Sequence, residues 1–112
     1  MAGRARSAVV AFARPDTDTL AVAGVLTFAT AARALATGRQ ALAEGRPTRL
    51  DLAGVTRADS AGLACVIALA AHARAAGSRL AVVNWPSGLR ALADVCDVSA
   101  LLAAPPAAGR AA

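Results

Sequence analysis

Apolar and polar positions fall into blocks along this chain, and the blocks predict a run of short elements. Ala8-Val9-Val10-Ala11-Phe12-Ala13 reads as an edge strand. Pro15-Asp16-Thr17-Asp18 is a turn, because proline fixes φ and the aspartates bond their own backbone. Thr19 to Leu26 reads as a second strand, so the pair predicts a hairpin. A helix follows from about Phe28 to Ala43, capped by Thr27 or Thr30. Phe28, Ala32, Leu35 and Leu42 recur near its period, and Gly38 weakens its middle. Gly45-Arg46-Pro47 stops it, with glycine just past the end and proline soon after. Thr48 to Leu52 is a third, short strand. A second helix, about Ala61 to Ala76, places Leu63, Val66, Ile67 and Ala70 on one stripe, with His72 and Ala75 off it. Arg79 to Val83 is a fourth strand. Asn84 to Gly88 is a loop, and Ser87 can cap a third helix, about Gly88 to Val95.

The order ββαβαβα implies parallel pairing around right-handed crossovers. The expected product is one α/β domain over residues 8–102, a mixed four- to five-stranded sheet with helices mainly on one face. Val98 to Leu102 would be a short terminal element. Residues 1–7 read as a flexible leader and 103–112 as a disordered tail.

Composition narrows the function more than the fold. The 112 residues are 57% hydrophobic, much of it alanine, and Phe12, Phe28 and Trp85 are the only aromatics. The core must therefore come from Leu, Val, Ile and Ala. The net charge is +5 and every cation is arginine, the pattern of a GC-rich coding bias. These arginines are scattered and lack interleaved aromatics, which argues against a nucleic-acid face. Cys65 and Cys96 lie in no CxxC, and with His72 as the one histidine no zinc set assembles. Two such cysteines fit a reducing cytosol. No signal peptide is expected, and arginines interrupt both alanine-rich segments before a membrane span is reached.

Catalytic frames are missing. There is no G-x-S-x-G, no G-x-G-x-x-G after a strand, and without lysine no Walker A. Asp51 and Asp59 flank one strand and turn and could meet, but two carboxylates alone make a poor metal site. His72 reads as a solvated helix residue. No catalytic set is evident, and no cofactor or metal is expected.

The most informative stretch runs from Leu50 through Asp59-Ser60-Ala61-Gly62-Leu63. Ser60 stands where an N-cap belongs, so its oxygen can accept a first-turn N–H. Asp59 either favours the positive helix start or is a plain turn residue. Gly62 lets another surface approach closely. Strand, Asp-Ser-x-Gly-Leu and alanine-leucine helix together resemble the signature of the STAS domain family. The resemblance continues through Arg79 to Asn84, Pro86 and Leu89-Arg90-Ala91-Leu92-Ala93-Asp94. Two branches compete. Anti-sigma-factor antagonists typically carry D-S-S-G-L, and Ser60 matches the serine that their kinase phosphorylates. Ala61 instead matches the MlaB-like subunit of the Mla phospholipid ABC transporter. That branch implies a cytoplasmic, non-enzymatic subunit, held at the inner membrane through its partner, the transporter ATPase. The partner-binding residues it implies are Asp59, Ser60, Ala61, Gly62 and Leu63; beside them the sequence offers Trp85, which either binds the partner or covers the edge of a small core, and Arg57 and Arg90, which either line the same sheet end or are solvated charges. The alternative branch implies an anti-sigma kinase as partner and a phosphate on Ser60. Neither implies nucleic-acid binding or membrane insertion.

Overall fold

In the computed structural model, which describes residues 9–98, the first two apolar runs form an antiparallel ladder. β1 spans Val10–Asp16 and β2 spans Thr19–Leu26. The Asp16 carboxylate accepts the Asp18 N–H at 2.9 Å and tightens the turn between them. β1 is an edge strand, so Pro15 removes no bond from the ladder interior. There follow α1 (Ala31–Ala43), β3 (Arg49–Ala58), α2 (Ser60–Ala75), β4 (Ala81–Val83) and α3 (Ser87–Val95). The sheet order is β1-β2-β3-β4, with β2–β3 and β3–β4 parallel.

Both crossovers step across the sheet in the same direction. Right-handed connections then place α1 and α2 on one face. Burial agrees: Leu20, Val22, Leu26, Leu50, Leu52 and Val82 point into the core, while Ala11, Ala13, Ala23 and Thr56 on the opposite face stay exposed. This is the mixed sheet with one helical layer that the pattern predicts.

The helical layer differs in detail. α1 begins at Ala31, and its buried row is Ala34, Gly38 and Leu42. Phe28 lies outside the helix and Ala32 is exposed, so neither joins the expected stripe. Gly38 is a packing residue rather than a weak point. A methyl group there would lie 2.7 Å from Leu69 Cδ2, so the missing side chain sets how closely α1 meets α2. α2 buries Gly62, Leu63, Cys65, Val66, Leu69 and Ala73. Each of the buried leucines is worth about 1.5–3 kcal/mol relative to exposure.

β3 is the largest departure. The expected strand ends at Leu52, yet it runs on to Ala58 because β2 offers partners: Gly24 pairs with Val55, Val25 with Arg57 and Leu26 with Ala58. The exposed Thr56 and Arg57 break the apolar run without breaking the ladder. At the other edge, β4 starts at Ala81 rather than Arg79. α3 is capped by Pro86, and Ser87 is its first helical residue with no capping bond. Val98 packs against the core. The expected leader, the rest of the terminal element and the tail lie outside the described residues.

Candidate partner-binding site

The long β3 delivers Asp59 and Ser60 to the carboxyl end of the parallel strands, the end where open α/β sheets commonly bind ligands. Asp59 keeps extended backbone angles, φ −135° and ψ −168°. Its carboxylate accepts the Gly62 N–H at 3.0 Å. Asp59 is therefore the N-cap, and the expectation that Ser60 fills that role is corrected. Ser60 is one residue too late: it already has helical geometry as the first residue of α2. The second carboxylate oxygen of Asp59 accepts the Phe28 N–H at 3.1 Å. One side chain thus ties the start of α2 to the loop before α1. The Gly62 and Phe28 amides hold the Asp59 carboxyl below its ordinary value, because they favour the charged form.

With capping done by Asp59, Ser60 is exposed, and its hydroxyl has no hydrogen-bond partner among the described residues. Ala61 is half-buried and Ala64 is exposed. Gly62 and Leu63 are different. A methyl group on Gly62 would overlap the Leu26 carbonyl oxygen, and Leu63 is 3% exposed. The surface that Gly62 admits is the chain's own β2 end, not another protein. These two residues seat the site from within and do not present it.

The strand register decides which of the remaining residues gather here. Leu26 pairs with Ala58, and just past the ladder the Phe28 N–H reaches the Asp59 carboxylate, which sets Phe28 beside the start of α2. Arg57, paired with Val25, is exposed beside them. β4 pairs only with Arg49–Asp51, and Asn84 Nδ2 donates to Asp51 at 3.0 Å. The loop carrying Trp85 therefore leaves the sheet beside Asp51, well before Ala58. Trp85 is half-buried and packed on the core. Arg90 is exposed on α3, 3.9 Å from Asp94. The structure thus groups Asp59, Ser60, Ala61 and Arg57, and sets Trp85 and Arg90 apart along the α3 side. Asp51 and Asp59 do not meet either. Eight residue steps along the strand separate them, on the order of 25 Å at the usual strand rise.

Phe28 is the residue that the sequence pattern misassigns. It is 84% exposed. Its position follows from Thr30, which sits at the N-cap of α1 but makes no capping bond. The fully buried Thr30 hydroxyl donates to the Val25 carbonyl at 2.7 Å and accepts the Thr27 N–H at 3.1 Å. Choosing Thr30 over Thr27 as the cap would have put Phe28 outside the helix; two threonines three apart were the available signal.

Other reactive groups lie elsewhere. Cys65 is buried, and burial pushes its thiol up to about 11. His72 is half-buried rather than fully solvated. It lines a groove with Leu42, Arg46, Pro47 and Ser78 at the far ends of α1 and α2. No group of three metal-ligating side chains occurs among the described residues. No helix among them is long and apolar enough to cross a membrane.

A family model described as Mlab, STAS domain matches residues 10–103. Among solved structures, the chain is similar to the anti-sigma factor antagonist SpoIIAA in its unphosphorylated form. That match has 17% identity over 75% of this chain and 80% of the other, with a TM-score of 0.57. It is also similar to the Bacillus cell fate determinant SpoIIAA in the phosphorylated form, at 15% identity over 85% and 88% of the two chains, with a TM-score of 0.63. At these identities the likeness is one of fold. No curated protein sequence matches the chain.

Proposed function

This chain belongs to the STAS domain family, a fold of binding and regulatory modules, and from that premise we propose that it is the MlaB-like subunit of an ABC-type phospholipid transporter. In this role it binds and supports the transporter's ATPase and so helps maintain outer-membrane lipid asymmetry. It works in the cytoplasm, peripheral to the inner membrane through that partner, and carries out no catalysis itself.

One observation carries the reading: Asp59 caps α2, which leaves the Ser60 hydroxyl exposed and without a hydrogen-bond partner among the described residues. A free hydroxyl can donate one bond and accept two across an interface. Ala61 and Ala64 beside it are small enough for a partner's backbone to approach closely. Arg57 adds a charge at the rim. Gly62 and Leu63 hold this surface in place, while Trp85 in the loop before α3 and Arg90 on it form a separate, outer part of the contact. The Mlab description of the matching family model favours this branch, as does alanine at position 61.

The test is affinity capture from the native cells, reading whether an ABC ATPase co-purifies with the native chain and with Ser60→Arg. Binding by the native chain and its loss in the variant, with an unchanged fold, is the expected result.

A second reading has its own support. The same exposed hydroxyl suits a phosphoacceptor, and the SpoIIAA structures are titled as phosphorylated and unphosphorylated forms of an anti-sigma factor antagonist. In that case the partner is an anti-sigma kinase. Incubation with that kinase and ATP, followed by mass spectrometry, would find phosphate on Ser60.

A further inference from the structure

We propose that Phe28 is the apolar anchor of the partner interface, and that the partner is a protein offering a socket for one aromatic ring beside its contact with Ser60. This rests on the reading of the Ser60 end as the partner-binding end. It adds what the motif around Ser60 does not contain, a residue from the preceding loop that supplies the buried area of the contact.

A chain with three aromatics has left one of them 84% in water. A lone exposed apolar residue needs no explanation when it sits on a loose loop. Phe28 does not. The Thr30 N–H and the Ala31 N–H both donate to the Thr27 carbonyl, at 2.9 and 2.8 Å. The Thr30 hydroxyl pins the same turn to Val25, and the Phe28 N–H itself donates to Asp59. These bonds fix the backbone from which the exposed ring projects. A rigidly presented aromatic loses little conformational entropy when a partner covers it, which is how binding anchors gain affinity.

The same carboxylate that holds the Phe28 N–H caps α2, so the backbone carrying the ring is tied to the helix start carrying Ser60. Around them the exposed residues are small or basic: Ala29, Ala32, Arg33, Arg57 and Ala64. Both Asp59 oxygens are already engaged by backbone N–H groups. The matching surface is therefore an apolar socket with an acidic rim.

The experiment places the photo-crosslinker p-benzoylphenylalanine at the exposed Ala29, next to Phe28, and separately at the exposed Arg57, at the rim of the Ser60 end, in the full chain inside its native cells, so that neither Phe28 nor Ser60 is replaced. Mass spectrometry identifies what is captured. The same polypeptide, other than this chain, captured from both positions is the expected result. If that polypeptide is an anti-sigma kinase, the anchor stands and the transporter reading falls. An ABC ATPase captured from position 57 alone, or accompanied at position 29 by a different protein or a second copy of this chain, overturns the anchor and leaves the transporter reading standing. Capture of no other polypeptide from either position overturns both. With the captured partner purified, Phe28→Ala weakens binding at least tenfold while the melting temperature stays within a degree or two, and Phe28→Leu recovers part of the loss. Wild-type affinity for Phe28→Ala overturns the proposal.

Discussion

Replacing Gly62 by alanine tests whether the start of α2 is pressed onto β2 as tightly as the structure shows. The new methyl group would overlap the Leu26 carbonyl oxygen and lie 2.9 Å from the Leu26 carbonyl carbon. Both atoms are backbone in a paired strand, so no rotamer change can make room. Overpacking of this kind costs about 1–3 kcal/mol. Against that, alanine gains up to about 1 kcal/mol in helix propensity, less in a first turn. The net expectation is a loss of about 1–2 kcal/mol. For a domain of this size that lowers the melting temperature by roughly 5–15 °C. Gly88 in α3 supplies the control, since a methyl group there meets nothing within 4 Å. Gly88→Ala should raise stability by about 0.5 kcal/mol through propensity alone. Urea titration of both variants by circular dichroism reads the two changes. A Gly62→Ala variant as stable as the native chain would refute the close packing of α2 on β2, and with it the rigid placement of Ser60.

The hydrogen bonds of Asp59 make stability fall in acid. Its folded carboxyl holds off protonation longer than the unfolded one, so its contribution is full above the ordinary aspartate range near pH 4 and fades as pH drops through the lower folded value. Asp59→Ala should cost about 1 kcal/mol at pH 7, the usual worth of an N-cap, and much less at pH 2–3. Equal losses at both pH values in denaturant titrations would contradict this. The two thiols should differ in reactivity. Cys96 is exposed and should be alkylated by iodoacetamide at pH 8, while Cys65 is buried with a raised pKa and should resist until the chain is unfolded. Mass spectrometry of native and urea-treated protein checks both, and rapid native labelling of Cys65 would show that the core opens readily.

Much of the fold was legible because alternation and helical period agree with turn chemistry over most of the chain. The ββαβαβα order and the single helical layer follow from the crossover rule. What escaped were features set by a second element. β3 continues to Ala58 because β2 supplies ladder partners, which Thr56 and Arg57 give no hint of. Gly38 reads as a weak helix residue alone and as a contact only beside Leu69. Asp59 rather than Ser60 caps α2, a one-residue shift that period cannot detect. That shift matters most for function, since it moves Ser60 from a structural bond to a free surface group. Phe28 was drawn into a helical stripe by its spacing to Ala32 and Leu35. The hydrogen bonds of Thr30 hold the turn that keeps Phe28 outside the helix, where its ring is exposed. Trp85 followed the opposite course: an aromatic in a Pro-containing loop suggested a binding residue near Ser60, but the short β4 places it beside Asp51 and packs it on the core.

The central claim is that Ser60 at the start of α2 is the point where this chain engages an ABC ATPase. The direct measurement is calorimetric binding of the purified chain to the phospholipid-transporter ABC ATPase of the same organism, for the native protein and for Ser60→Arg. Ser60 is exposed, so the variant should keep its melting temperature within a degree or two. The account predicts saturable binding by the native chain and at least a hundredfold loss in the variant. Equal affinity of the two proteins, or no binding by the native chain, would contradict it.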